Sequence, residues 1–140
     1  MSAIVDRHRS RPLHPAHAFF LAAIVPPFLG AVLSDYAYTA SHQAQWINFA
    51  SWLIVGGLVL GAVAVICALI DLRRAAGRPG SIYVAVLLAT WVLGFFNALI
   101  HARDAWATMP TGLVLSVVMT LLAVAAVYIG FASLREGSRP

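Results

Sequence analysis

The residues able to do chemistry are few, and they fall near the ends of long apolar stretches. His14 and His17 precede one such stretch and Asp35 closes it. Asp71 ends a second stretch, Asn97 and His101 end a third, and His42 and Asp104 lie in the connections. Ionisable groups in or beside apolar spans are costly in lipid and are functional candidates for that reason. A histidine beside a carboxylate can be oriented as a metal ligand or can exchange a proton. His14, His17 and His101 are therefore candidate cofactor ligands, with Asp35, Asp71, Asn97 and Asp104 as supporting polar groups. Each has a plainer reading: His14 before Pro15 as a helix start, His42 as a solvated loop residue, His101 with Asn97 as an interhelix hydrogen bond, and the aspartates as interfacial caps.

The elements that must position these residues are set by composition. The chain has 140 residues, 61% of them hydrophobic and 10% charged, with a mean hydropathy of +0.87. That is too little polar surface to cover a water-soluble globule. The expected fold is an all-α integral membrane protein. Its spans should cover residues 16–34, 46–70, 82–100 and 112–131, since about 20 apolar residues cross a hydrocarbon core of about 30 Å. Residues 1–15 read as a basic arm, 16–134 as one transmembrane domain and 135–140 as a tail. The apolar stretch after the arm is too long for a signal-peptide core. Short connections force neighbouring spans antiparallel, giving a four-helix bundle. Pro26-Pro27 removes two backbone donors from the first span and predicts a kink there.

Every basic residue is arginine, nine in all. In a four-span topology, eight fall on the side of the termini and only Arg103 on the other. That asymmetry predicts cytoplasmic termini. It also explains the net charge of +4 without nucleic acid. His14, His17 and Asp71 then share the cytoplasmic end, while Asp35, His42, Asn97, His101 and Asp104 share the periplasmic one.

In the third span Thr90, Gly94, Asn97 and His101 share one helical face. In the second, Gly57, Gly61, Ala64, Ala68 and Asp71 recur at helical spacing, and in the fourth Gly112, Ser116 and Thr120 do. These small-residue rows predict close helix contacts. His17 and His101 should lie about 30 Å apart, at 1.5 Å per residue, too far to ligate one haem or metal within a protomer. The chain contains no P-loop or dinucleotide fingerprint, no nucleophile elbow and no cysteine cluster, Cys67 being alone. It also shows no sequence repeat.

LHPAH, VPPFLGAVLSDYAY, WINFASWLIVGGL, ALIDLRR and ATWVLGFFNALIHARDAWATMPTGL together resemble a bacterial family of four-span predicted membrane proteins, the domain of unknown function numbered two-two-three-one. The resemblance covers residues 12–133. Some members are joined to Rieske-type domains or associated with sugar-dehydrogenase-like quinoproteins. The resemblance thus implies a small redox subunit carrying electrons between a periplasmic dehydrogenase-type partner and the membrane, with haem b or quinone as the carrier. It places the family's His-Pro at His14-Pro15, its span-end aspartates at Asp35 and Asp71, and its late Asn and His at Asn97 and His101. With no fused soluble domain expected, the partner would be a separate membrane or periplasmic polypeptide, or a second copy of the chain. The alternative is a non-catalytic anchor or assembly module of a larger complex. An enzyme acting alone is not expected.

Overall fold

The computed structural model describes residues 13–74, 80–103 and 105–137. Six helices follow one another: α1 (Pro15–Ala23), α2 (Val25–Ser41), α3 (Ala44–Arg74), α4 (Ser81–His101), α5 (Ala105–Thr108) and α6 (Thr111–Gly137). No strand occurs among the described residues. Four stretches are long and apolar enough to cross a bilayer: Pro15–Ser41, Ala44–Arg73, Ser81–His101 and Thr111–Ala132. Residues 1–12 of the basic arm, Asp104, residues 75–79 of the second connection and residues 138–140 of the tail lie outside the described residues.

The first span is α1 and α2 together, interrupted only at Ile24. The two prolines fall in the first turn of α2, where the missing N–H groups have no intrahelical partner to lose. Ile24 keeps right-handed helical angles at the joint, and Phe28 N–H still reaches the Ile24 carbonyl at 3.4 Å. The expected kink is therefore only a slight bend.

This span also runs longer than its apolar stretch. Residues 35–41, expected as loop, continue as helix because Asp35 and Tyr38 are buried on the same side as Phe28 and Ala31. The helix stops at His42, whose left-handed backbone (φ 56°) lets its N–H cap the Tyr38 carbonyl at 2.7 Å. A two-residue turn then leads into α3.

Each span packs on two others. The first and third spans both contact α3 and α6, and stand on diagonal corners of the bundle. Small residues permit the close approaches. A Cβ added to Gly57 would collide with the ring of Phe28, and one on Gly61 would press on Trp91. The predicted small-residue rows are thus contact faces.

Burial repeats along the chain although the sequence does not. The inward stripe of the first span is His17, Leu21, Ile24, Phe28, Ala31 and Asp35. That of the third span is Tyr83, Leu87, Thr90, Gly94, Asn97 and His101, with the same spacing throughout. The inward stripes of α3 and α6 match in the same way: Ala50, Ile54, Gly57, Gly61, Ala64 and Ala68 against Gly112, Ser116, Met119, Ala123, Ala126 and Gly130. The two helical hairpins therefore present equivalent faces to one core. Its middle is built mainly from Leu21, Ile24, Phe28, Ile54, Leu87 and Met119, with the hydroxyls of Thr90 and Thr120 each donating to a carbonyl of their own helix. Its two ends are polar.

Candidate functional site

The polar side chains form two clusters rather than one. At the end where α1 begins, His17 lies fully buried on the first turns of the span. Its Nδ1 is 2.9 Å from Asp71 Oδ2 near the end of α3. Its Nε2 is 2.8 Å from the hydroxyl of Tyr83 on α4. A tyrosine hydroxyl can donate or accept, so it can serve either tautomer of the imidazole.

At the opposite end Asp35 and His101 are both buried, with Nε2 2.8 Å from Oδ1. His101 Nδ1 lies 3.0 Å from the backbone carbonyl of Asn97. A carbonyl only accepts, so Nδ1 carries a proton. One further proton then lies between Asp35 Oδ1 and His101 Nε2, whichever atom it is drawn on. On the other side of the carboxylate, Ser116 donates to Asp35 Oδ2 at 2.6 Å. Asn97 Nδ2 donates in turn to Ser116 Oγ at 2.8 Å. The hydrogen bonds form a ring that leaves Asn97 by its side chain and returns to its backbone.

Local structure explains why these side chains face inward. Asn97 and His101 are one turn apart on the buried stripe of α4, with Thr90 and Gly94 below them. The polar face read from the sequence is thus real. Ser116 sits one turn into α6, and Gly112 before it lets that helix reach His101. A Cβ on Gly112 would stand 2.8 Å from His101 Cε1 and from Thr108 Cγ2. Thr108 of α5 is itself buried and donates to the Ile100 carbonyl at 3.3 Å. A buried charge pair that loses one partner costs about 3–5 kcal/mol, so each member depends on the others.

The candidates fall as follows. Asp71 meets His17, and Asp35 and Asn97 join His101, as the end-by-end assignment expects. His14 does not join the His17 pair. It stands exposed at the start of α1, where its Nδ1 accepts the Ala16 N–H at 3.3 Å. His42 closes α2, its ring tilted against that of Tyr38 with centroids 6.2 Å apart. Asp104 lies outside the described residues. Tyr83 and Ser116 were not singled out as chemical groups. The signal for Tyr83 was present: it precedes His101 by about five helical turns, as His17 precedes Asp35.

The chain matches the family model described as predicted membrane protein (DUF2231) over residues 13–135. It belongs to that family. No curated protein and no solved structure gives a significant match, so family membership establishes a membrane protein and carries no activity with it. The lipid bilayer is then its first partner, touched by outward residues such as Trp52, Phe96 and Tyr128.

The donor sets can be tested against the expected cofactors. Both ring nitrogens of His17 and of His101 already have partners within the chain. Iron coordination would have to displace a carboxylate, a hydroxyl or a backbone carbonyl. No group of three His, Cys, Asp or Glu among the described residues is placed to hold a metal ion. The arrangement suits proton exchange and hydrogen bonding better than metal ligation.

Proposed function

We propose that the chain is a small redox subunit of the bacterial inner membrane, with cytoplasmic termini, that links a periplasmic dehydrogenase-type partner to the quinone pool. The observation that carries this reading is the pair of histidine–carboxylate contacts, one at each end of a bundle whose middle is apolar. Reducing a quinone takes two electrons and two protons. The electrons come from the partner dehydrogenase, and a histidine–carboxylate pair supplies and reloads protons near the membrane surface. Quinone suits the donor sets better than haem b, because it asks only for hydrogen bonds.

The test is dehydrogenase-driven quinone reduction in native membranes with the chain deleted and then restored. Restoration by the wild type, but not by His17→Leu or His101→Leu variants that accumulate normally, supports the reading. Full flux in the deletion strain overturns it.

A structural reading is favoured by the closed hydrogen-bond ring around Asp35, in which the polar groups largely satisfy one another. In that case the chain is an accessory module that holds a larger complex together. The histidine variants would then retain flux, while Gly61→Leu, which disrupts a helix contact, would lose the assembled complex.

A further inference from the structure

Beside the His17–Asp71 contact lies an open cavity of about 160 Å³, lined by His14, His17, Cys67, Ile70 and Asp71. A dry cavity of about 150 Å³ accepts one benzene ring, so this one has room for a single six-membered ring whose further substituents project through its open side. The hydrogen-bonding pattern narrows the choice. Asp71 uses Oδ2 on His17, and no hydrogen bond to Oδ1 is found among the described residues. Its side chain is 46% exposed. His14 accepts the Ala16 N–H through Nδ1, so the neutral ring carries its proton on Nε2 and donates from there. The walls therefore offer one acceptor and one donor, with Ile70 and the Cys67 side chain as apolar surface. The cavity also lies at the end of two membrane spans, beside the start of α1 and the end of α3.

The geometry points to a binding site for the hydroxylated ring of a membrane quinol. One ring hydroxyl donates to Asp71 Oδ1, and an oxygen of the ring accepts from His14 Nε2. The site deepens the redox reading above and rests on it for physiological role, not for geometry: it lies about 30 Å of helix from the end that would face the periplasmic partner, so it holds quinol drawn from the pool and no electron has to reach it through the bundle. His17 and Tyr83 are positioning residues here, since they hold the Asp71 carboxylate against the cavity wall.

The experiment uses the full chain in detergent or nanodiscs and three probes of one shape: durohydroquinone, duroquinone and durene, which has no oxygen. Binding is read by saturation-transfer NMR or equilibrium dialysis. Durohydroquinone should bind at least about tenfold more tightly than durene, one hydrogen bond to a charged group being of that order. Asp71→Asn keeps an acceptor for His17 but can turn an N–H₂ toward the cavity. It should weaken durohydroquinone about tenfold and leave duroquinone bound. His14→Ser retains a helix cap and removes the ring donor, so it should weaken both oxygenated probes. Ile70→Trp should fill the cavity and abolish binding, with thermal unfolding confirming that the variants fold. Durene binding as tightly as durohydroquinone, or no binding by any probe, overturns the site. Failure of the site and failure of the redox reading are separable. Quinol binding with unchanged flux in the deletion strain keeps the site and removes the redox role. Lost flux with no ring bound does the reverse.

Discussion

Tyr83 and His101 stand on one face of α4 about five turns apart, and each meets the residue 66 positions earlier in the chain. Those partners, His17 and Asp35, share one face of the diagonal span. The first and third spans are thus tied at both ends by polar contacts and separated in between by apolar side chains. At one end the histidine comes from the first span; at the other it comes from the third.

The ties should be measurable as coupling. Asp35→Leu leaves His101 and Ser116 without their shared carboxylate and should cost about 3–5 kcal/mol. His101→Leu alone should be similarly harmful. The double variant should be less damaging than the sum, because it leaves no uncompensated charge. Unfolding in detergent across the four-member cycle checks this; strict additivity would count against the contact.

Ser116→Ala separates the two roles of the serine. Asp35 Oδ2 loses a donor and Asn97 Nδ2 loses an acceptor, at a cost of about 1–3 kcal/mol for buried groups left unpaired. Ser116→Thr keeps the hydroxyl and should be milder where the added methyl is accommodated. Comparing the two by thermal unfolding isolates the hydroxyl.

Gly57 and Gly56 are neighbours with opposite surroundings. An added methyl at Gly57 enters the space of the Phe28 ring, while one at Gly56 meets nothing within 4 Å. Gly57→Ala should destabilise by about 1–3 kcal/mol, Gly56→Ala should not, and Phe28→Leu should relieve the first. Equal melting temperatures for the two glycine variants would refute the packing.

Gly112→Ala should act on His101 at one remove, since the methyl would crowd both that ring and Thr108. The expected signature is a changed imidazole environment in NMR, with the His17 resonances unmoved. Movement of both histidines would mean that the ends are not independent.

The arginine asymmetry predicts an orientation. A reporter active only in the cytoplasm should work when fused after residue 140 and fail when inserted at the turn after Ser41. The reverse result would invert the positive-inside assignment.

Much of this architecture could be read from residue types. Hydropathy marks the four spans because lipid tolerates no unpaired backbone. The Asn97–His101 face follows from helical periodicity, and the grouping of Asp71 with His17 follows from topology. Other features were hidden for physical reasons. Asp35 looks like the start of a loop until its partner is known, since a buried carboxylate and a solvated one have the same sequence. Tyr83 shares the helical face of His101, but only the diagonal packing makes its hydroxyl a partner for His17. Pro26-Pro27 looks disruptive because sequence alone does not reveal that a new helix begins one residue earlier.

The apolar middle of the bundle has an electrical meaning. Moving a bare charge through such a medium costs on the order of 20 kcal/mol by idealised solvation, and the two hydroxyls there, of Thr90 and Thr120, are each spent on a carbonyl of their own helix. Liposomes containing the chain are therefore expected to hold a proton gradient as long as empty ones do.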